Sequence, residues 1–195
     1  MSFFPRTPTV RATILWSAST VLAIPVAGYL GTAIVGRVDT VAAALAGGAL
    51  VGVLVGLAQA LGSSRRLGVG RWVVATTLGL GIGTMLGTLS VDFRTSLGDL
   101  AVRGVIAGAI TGLSQCVALP SHAGSRWIWI PTVAALTSLG WIITTAAGVS
   151  VDQQFIIFGA SGALVYAAAT GLLLEHILPA ALPRPSTPTP LVARP

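Results

Sequence analysis

The chain has no lysine, a single cysteine and only five acidic residues among its 195 positions. Charged side chains make up 8% of it, against roughly 25% in a soluble domain. So few charges cannot coat a globule with water-compatible groups, but they suffice where lipid does the coating. One cysteine, Cys116, excludes an internal disulfide and a cysteine-based zinc site. The formal charge of +6 rests on eleven arginines. Nucleic-acid binding needs basic residues gathered on one face, and these are scattered between apolar runs. The basic balance therefore reads as membrane topology, and no nucleic-acid partner is expected. The chain also lacks a nucleotide loop, HExxH, GxSxG and any Cys-His arrangement. The expected bundle interior contains no acid–base pair, so neither enzyme activity nor a metal or cofactor is expected.

What the chain has in abundance is apolar surface and glycine: 54% hydrophobic residues and 24 glycines, with a mean hydropathy of +0.89. A helix needs about 20 apolar residues to cross a bilayer core. Six runs of that order are present, at 12–36, 41–62, 72–90, 101–119, 127–149 and 155–178. Arg6 and Arg11 precede the first run as they would a cleaved signal peptide. The run is too long for that, and it matches later spans, so it is expected to be retained. Residues 1–10 form a polar N-terminal tail, and the Pro-rich segment 179–195 is expected to be disordered.

Arginine marks the cytoplasmic side of a membrane protein. With the N-terminus inside, Arg6, Arg11, Arg65, Arg66, Arg71, Arg126, Arg184 and Arg194 fall inside, and Arg37, Arg94 and Arg103 outside. Both termini are thus expected in the cytoplasm. Arginine used to the exclusion of lysine suggests a GC-rich bacterial genome, and hence a bacterial plasma membrane. Trp16, Trp72, Trp127 and Trp129 lie near the inner boundary, where indole favours the headgroup layer.

The even spans align without gaps. Gly48, Gly52 and Gly56 correspond to Gly104, Gly108 and Gly112, and then to Ala163, Ala167 and Gly171. Leu57, Leu113 and Leu172 follow, and two residues later come Gln59, Gln115 and Leu174. The odd spans match more loosely, opening at Arg11, Arg71-Trp72 and Arg126-Trp127 and closing on Val38-Asp39, Val91-Asp92 and Val151-Asp152. The expected fold is an all-α integral membrane bundle of six transmembrane helices. Its three tandem hairpins (about 11–66, 71–120 and 126–178) would stand around a pseudo-threefold axis. Because lipid is as apolar as leucine, such helices associate by close approach at small residues, and Gly79, Gly83 and Gly87 extend that pattern to the third span.

Few polar groups interrupt the spans. Gln59 and Gln115 each follow a stripe glycine by three residues and share its face. An amide facing lipid costs several kcal/mol, so both are expected to face protein, a cavity or the inner interface. They read first as interhelical hydrogen bonds and second as a polar solute path. Asp39, Asp92 and Asp152 recur at the outer helix ends, as loop boundaries or helix caps, or alternatively as an acidic ring that concentrates cations. Asp99 and Arg103 stand at i and i+4, the spacing of a local ion pair. Glu175 and His176 end the sixth span at headgroup level, and His122 sits in a short loop.

Gly-Leu-Ala-Gln at 56–59 and Gly-Leu-Ser-Gln at 112–115, followed by Arg71-Trp72 and Arg126-Trp127, resemble a group of small polytopic bacterial membrane proteins. That group carries similar Gly-Leu-x-Gln and Arg-Trp repeats and has no assigned function. The resemblance covers residues 45–150 and implies no substrate. In size and span count the chain is also similar to the substrate-binding components of energy-coupling-factor vitamin transporters. The expected role is a non-enzymatic structural or accessory subunit of a bacterial membrane complex. Its partners would be the lipid bilayer and other subunits or further copies of itself. The alternative is a small-solute transporter or channel.

Overall fold

A computed structural model describes residues 8–149 and 155–178. Its elements are α1 (Pro8–Val35), α2 (Val41–Gly62), α3 (Val69–Ser90), α4 (Leu97–Ala118), a 3-10 turn (Arg126–Ile128), α5 (Trp129–Ala146) and α6 (Ala160–Ile177). All six helices are long and apolar enough to span a bilayer, and no strand occurs among the described residues. The chain is an all-α, multi-pass integral membrane protein. The tails at 1–7 and 179–195, and Asp152 with its neighbours, lie outside the described residues.

Local chemistry sets most of the boundaries. The Thr40 side chain accepts from the Ala43 amide and starts α2, and Ser96 does the same for α4 through Asp99, satisfying amides that a first helical turn leaves open. Asp92 therefore does not cap the helix that follows it. The α1 and α5 ends run into Gly36 (φ 86°) and Gly148 (φ 81°), left-handed stops that suit glycine. Several expected boundaries shift; α3 and α4 begin earlier, at Val69 and Leu97, and α5 ends earlier, at Ala146. α1 begins at Pro8, inside the segment read as a tail. α6 begins at Ala160, so the apolar run 155–159 is not helical.

Each helix packs on its neighbours in sequence, and α1 packs on α6, which closes a ring. The division of residues inverts that of a soluble bundle. Leu57, Leu113 and Leu172, next to the stripe small residues, are 41%, 50% and 66% exposed. The small residues face inward, onto the next helix. A Cβ built on Gly52 would stand 2.6 Å from the Thr77 Cα, and one on Gly108 would stand 2.6 Å from the Val133 carbonyl oxygen. Gly79, Gly83 and Gly87 bring α3 equally close to α4, at Thr111, Ala107 and Arg103. Large side chains toward lipid and backbone against backbone inside is the packing expected where dispersion, and not water exclusion, holds helices together.

At one end of the ring the irregular stretch 155–159 turns into the bundle. Ile156 fills a notch at Gly31 and Gly47, Ile157 meets Gly28, and Phe158 lies on Gly140. Non-helical backbone at membrane depth persists only when protein satisfies it. Arg103 does so here: its Nη2 donates to the Phe155 carbonyl at 3.0 Å and the Ile156 carbonyl at 3.4 Å. The guanidinium is buried and sits 5.1 Å from the Trp141 ring centre. The expected Asp99–Arg103 pair does not form. Asp99 instead bonds Ser96 and lies 3.4 Å from Arg94, while Arg103 is drawn inward by two carbonyls that lipid cannot serve.

Candidate functional site

Three tryptophans meet at the centre of the ring, toward the end where α1 begins. Trp16 (α1), Trp72 (α3) and Trp129 (α5) are each 0% exposed. Their ring centres are 5.9 to 6.2 Å apart, with interplanar angles of 70° to 76°. Edge-to-face rings at this spacing are each favourable by about 0.5–1.5 kcal/mol beyond their area. The headgroup-belt reading is thus corrected for these three; only Trp127, 63% exposed and 5.4 Å from the Arg126 guanidinium, keeps a surface place.

A buried indole N–H needs an acceptor, and the even helices supply one each. Trp72 Nε1 donates to Gln59 Oε1 at 3.1 Å, Trp129 Nε1 to Gln115 Oε1 at 2.9 Å, and Trp16 Nε1 to Thr170 Oγ1 at 3.1 Å. Gln115 Nε2 donates to Thr76 Oγ1 at 3.0 Å and to Gln59 Oε1 at 3.4 Å. Gln59 and Gln115 therefore belong to one network that joins α2, α3, α4 and α5. At the third place Leu174 has no polar atom to offer, and Trp16 turns to Thr170, one helical turn earlier.

Beyond the indoles lies a small cavity, with about 20 Å³ of room for the centre of a water molecule. Gln59, Gln115, Thr76, Thr111, Thr137 and Tyr166 supply its polar wall, and Ile157 and Phe158 close the side toward the 155–159 stretch. On the other side of the indoles the ring is shut by Leu67, Leu119 and Leu178, all nearly fully buried. An ion pair from Arg66 Nη1 to Glu175 Oε2 at 2.7 Å closes it further, and the same Nη1 donates to the Leu178 carbonyl at 3.0 Å. Glu175 is thus paired within the protein and does not simply face headgroups.

The other sequence candidates take no part in the central hydrogen-bond network. Asp39 and Asp92 are exposed on separate turns. The stripe glycines Gly48, Gly56, Gly104, Gly112 and Gly171 lie at helix contacts, Gly171 against Ser17 and Trp16. Cys116 is a buried free thiol whose Sγ donates to the Arg126 carbonyl at 3.4 Å. Among the described residues no three His, Cys, Asp or Glu side chains gather as a metal site requires.

Sequence reasoning picked the two glutamines because an amide in an apolar run must find protein. It missed the indole trio, Thr170, Arg103 and Tyr166. The available signal was spacing: Trp72 and Trp129 follow Gln59 and Gln115 by 13 and 14 residues. No family model, curated protein or solved structure matches the chain.

Proposed function

We propose that the protein is a non-enzymatic structural or accessory subunit of a bacterial plasma-membrane assembly, with both termini cytoplasmic. The observation that carries this reading is the state of the interior. The polar side chains that a solute path would use bond to one another, and the space between them ends at about 20 Å³. The outer surface supports the same reading. Between α3 and α4 runs an open trough of about 580 Å³ lined by Gly70, Arg71, Val74, Ala75, Leu78, Leu113, Ser114, Val117 and Ala118. A mainly apolar trough that includes small residues suits close approach by another transmembrane segment. Extraction in mild detergent followed by affinity purification tests it. The expected result is a stoichiometric membrane partner; a protein that runs alone as a discrete monomer or homo-oligomer counts against it.

The hairpin repeat belongs to this proposal too. Its support is the meeting of one indole from each odd helix, each bonded to an even helix, and the shared Gly-Leu-x-Gln motifs of α2 and α4 are its sequence counterpart. Its departure is Leu174, which has Thr170 acting in its stead.

A second reading, gated passage of a small neutral solute, is favoured by one feature: the 155–159 stretch, an irregular cap held by Arg103 over the central cavity. In liposomes, Gln59→Leu would then abolish flux and Arg103→Met would raise it. Flux indifferent to both changes excludes this route.

A further inference from the structure

We propose that the central cavity is a binding site for one water molecule, held between Gln59 on α2 and the threonines of α4 and α5. The orientation of the Gln59 amide is fixed by its neighbours. Its Oε1 accepts from the Trp72 indole at 3.1 Å and from Gln115 Nε2 at 3.4 Å. A flipped amide would set N–H against N–H at both contacts. Gln59 Nε2 must therefore point elsewhere. The residue is 0% exposed, and among the described residues this nitrogen finds no acceptor. A buried amide donor left this way in an apolar interior is destabilising, so the cavity that Gln59 borders is where its partner belongs.

The opposite wall states what that partner is. Thr111 Oγ1 donates to the Ala107 carbonyl at 2.8 Å, and Thr137 Oγ1 donates to the Val133 carbonyl at 2.7 Å. Both hydroxyl protons are committed to their own helices, so each oxygen turns only lone pairs to the cavity. Thr76 Oγ1 already accepts from Gln115. The site thus offers a donor on α2, acceptors on α4 and α5, and on α6 the Tyr166 hydroxyl, which can serve as either. A cation would meet the positive end of the Gln59 amide. An anion would meet threonine lone pairs with no basic side chain in the wall. A neutral molecule that both accepts and donates satisfies both sides. The 20 Å³ available matches the roughly 10–15 Å³ one water needs, and two to four polar partners is its usual number. Such a water would tie α2 to α4 and α5 across the ring and complete the network that the two glutamines begin.

The test is a high-resolution crystal structure of the full chain grown from a lipidic mesophase, with a second crystal soaked in bromide. The expected result is one solvent peak within hydrogen-bond distance of Gln59 Nε2 and of Thr111 or Thr137 Oγ1, unchanged by bromide. A dry cavity, or a peak that acquires the anomalous signal of bromide, overturns the proposal. Thr111→Val and Thr137→Val keep side-chain shape and leave the glutamine bonds untouched. In the double variant the solvent peak should disappear while the indole trio stays in place. A peak retained at full occupancy there overturns the assignment of the threonines as its acceptors.

Discussion

The seams between α2 and α3 and between α4 and α5 close differently from the seam between α6 and α1. In the first two, glycine lets backbone touch backbone, and a glutamine amide bonds the facing indole. In the third, Ala163 and Ala167 are buried with their methyl groups, only Gly171 is bare, and a threonine hydroxyl takes the indole N–H. The contacts a Cβ on Gly171 would meet are side-chain atoms, Ser17 Oγ at 2.8 Å and Trp16 Cδ1 at 3.0 Å. Close approach and a long polar side chain thus occur together. Where the backbones touch, the acceptor reaches from one turn further along; where they do not, a short hydroxyl suffices.

Breaking the close seams should have the largest effect. Gly108→Ala sets a methyl against the Val133 carbonyl and Ala134 Cα, at 2.6 and 2.7 Å. Overpacking against backbone is expected to cost about 2–3 kcal/mol. Gly171→Ala, which asks only a serine rotamer and an indole edge to yield, should cost under about 1 kcal/mol. Reversible unfolding in mixed micelles measures both, and equal losses would refute the distinction.

Gln115→Leu comes next. It strands the Trp129 N–H and removes the donor to Thr76 and Gln59, for an expected loss of about 1–3 kcal/mol. Trp129 fluorescence in a variant lacking the other tryptophans should shift as its hydrogen bond goes; a stability within error of wild type would show that the network contributes nothing.

At the third seam Thr170→Val should cost about 0.6–1.7 kcal/mol, the range of single interhelical bonds in a membrane. Leu174→Gln restores at that seam the acceptor found at the other two. Added to Thr170→Val, it is expected to recover most of the loss, and a double variant no better than Thr170→Val alone would mean that α6 stands in a register glutamine cannot serve.

Six spans were legible because lipid leaves a helix one way to satisfy its backbone, and hydropathy records that directly. The glycine stripes were legible for a related reason: a missing side chain is visible in sequence at the spacing where it acts. Three features were not. The Arg126-Trp127 pair drew attention to the wrong indole, because a 3-10 turn over Arg126–Ile128 sets the phase of α5 and puts Trp129 inward. The run Phe155–Phe158 is as apolar as a span, and only its partners on α1, α2, α4 and α5 make it a cap. Arg103 sat at the spacing of a local pair with Asp99, yet two carbonyls 52 and 53 residues away decide where it points. Contacts across the ring are set by tertiary position, which no local window contains.

The burial of the one thiol has a practical consequence. Cys116 hides at the end of α4 against the Arg126 carbonyl, so the native chain should be silent to maleimide reagents. A cysteine placed at an exposed position between helices such as Asp39 or Ser121 would then be the sole labelled site. Spin or fluorophore pairs built this way measure distances between helix ends without first engineering away a background. Any slow labelling of Cys116 itself becomes a clock for how often the α4–α5 junction opens.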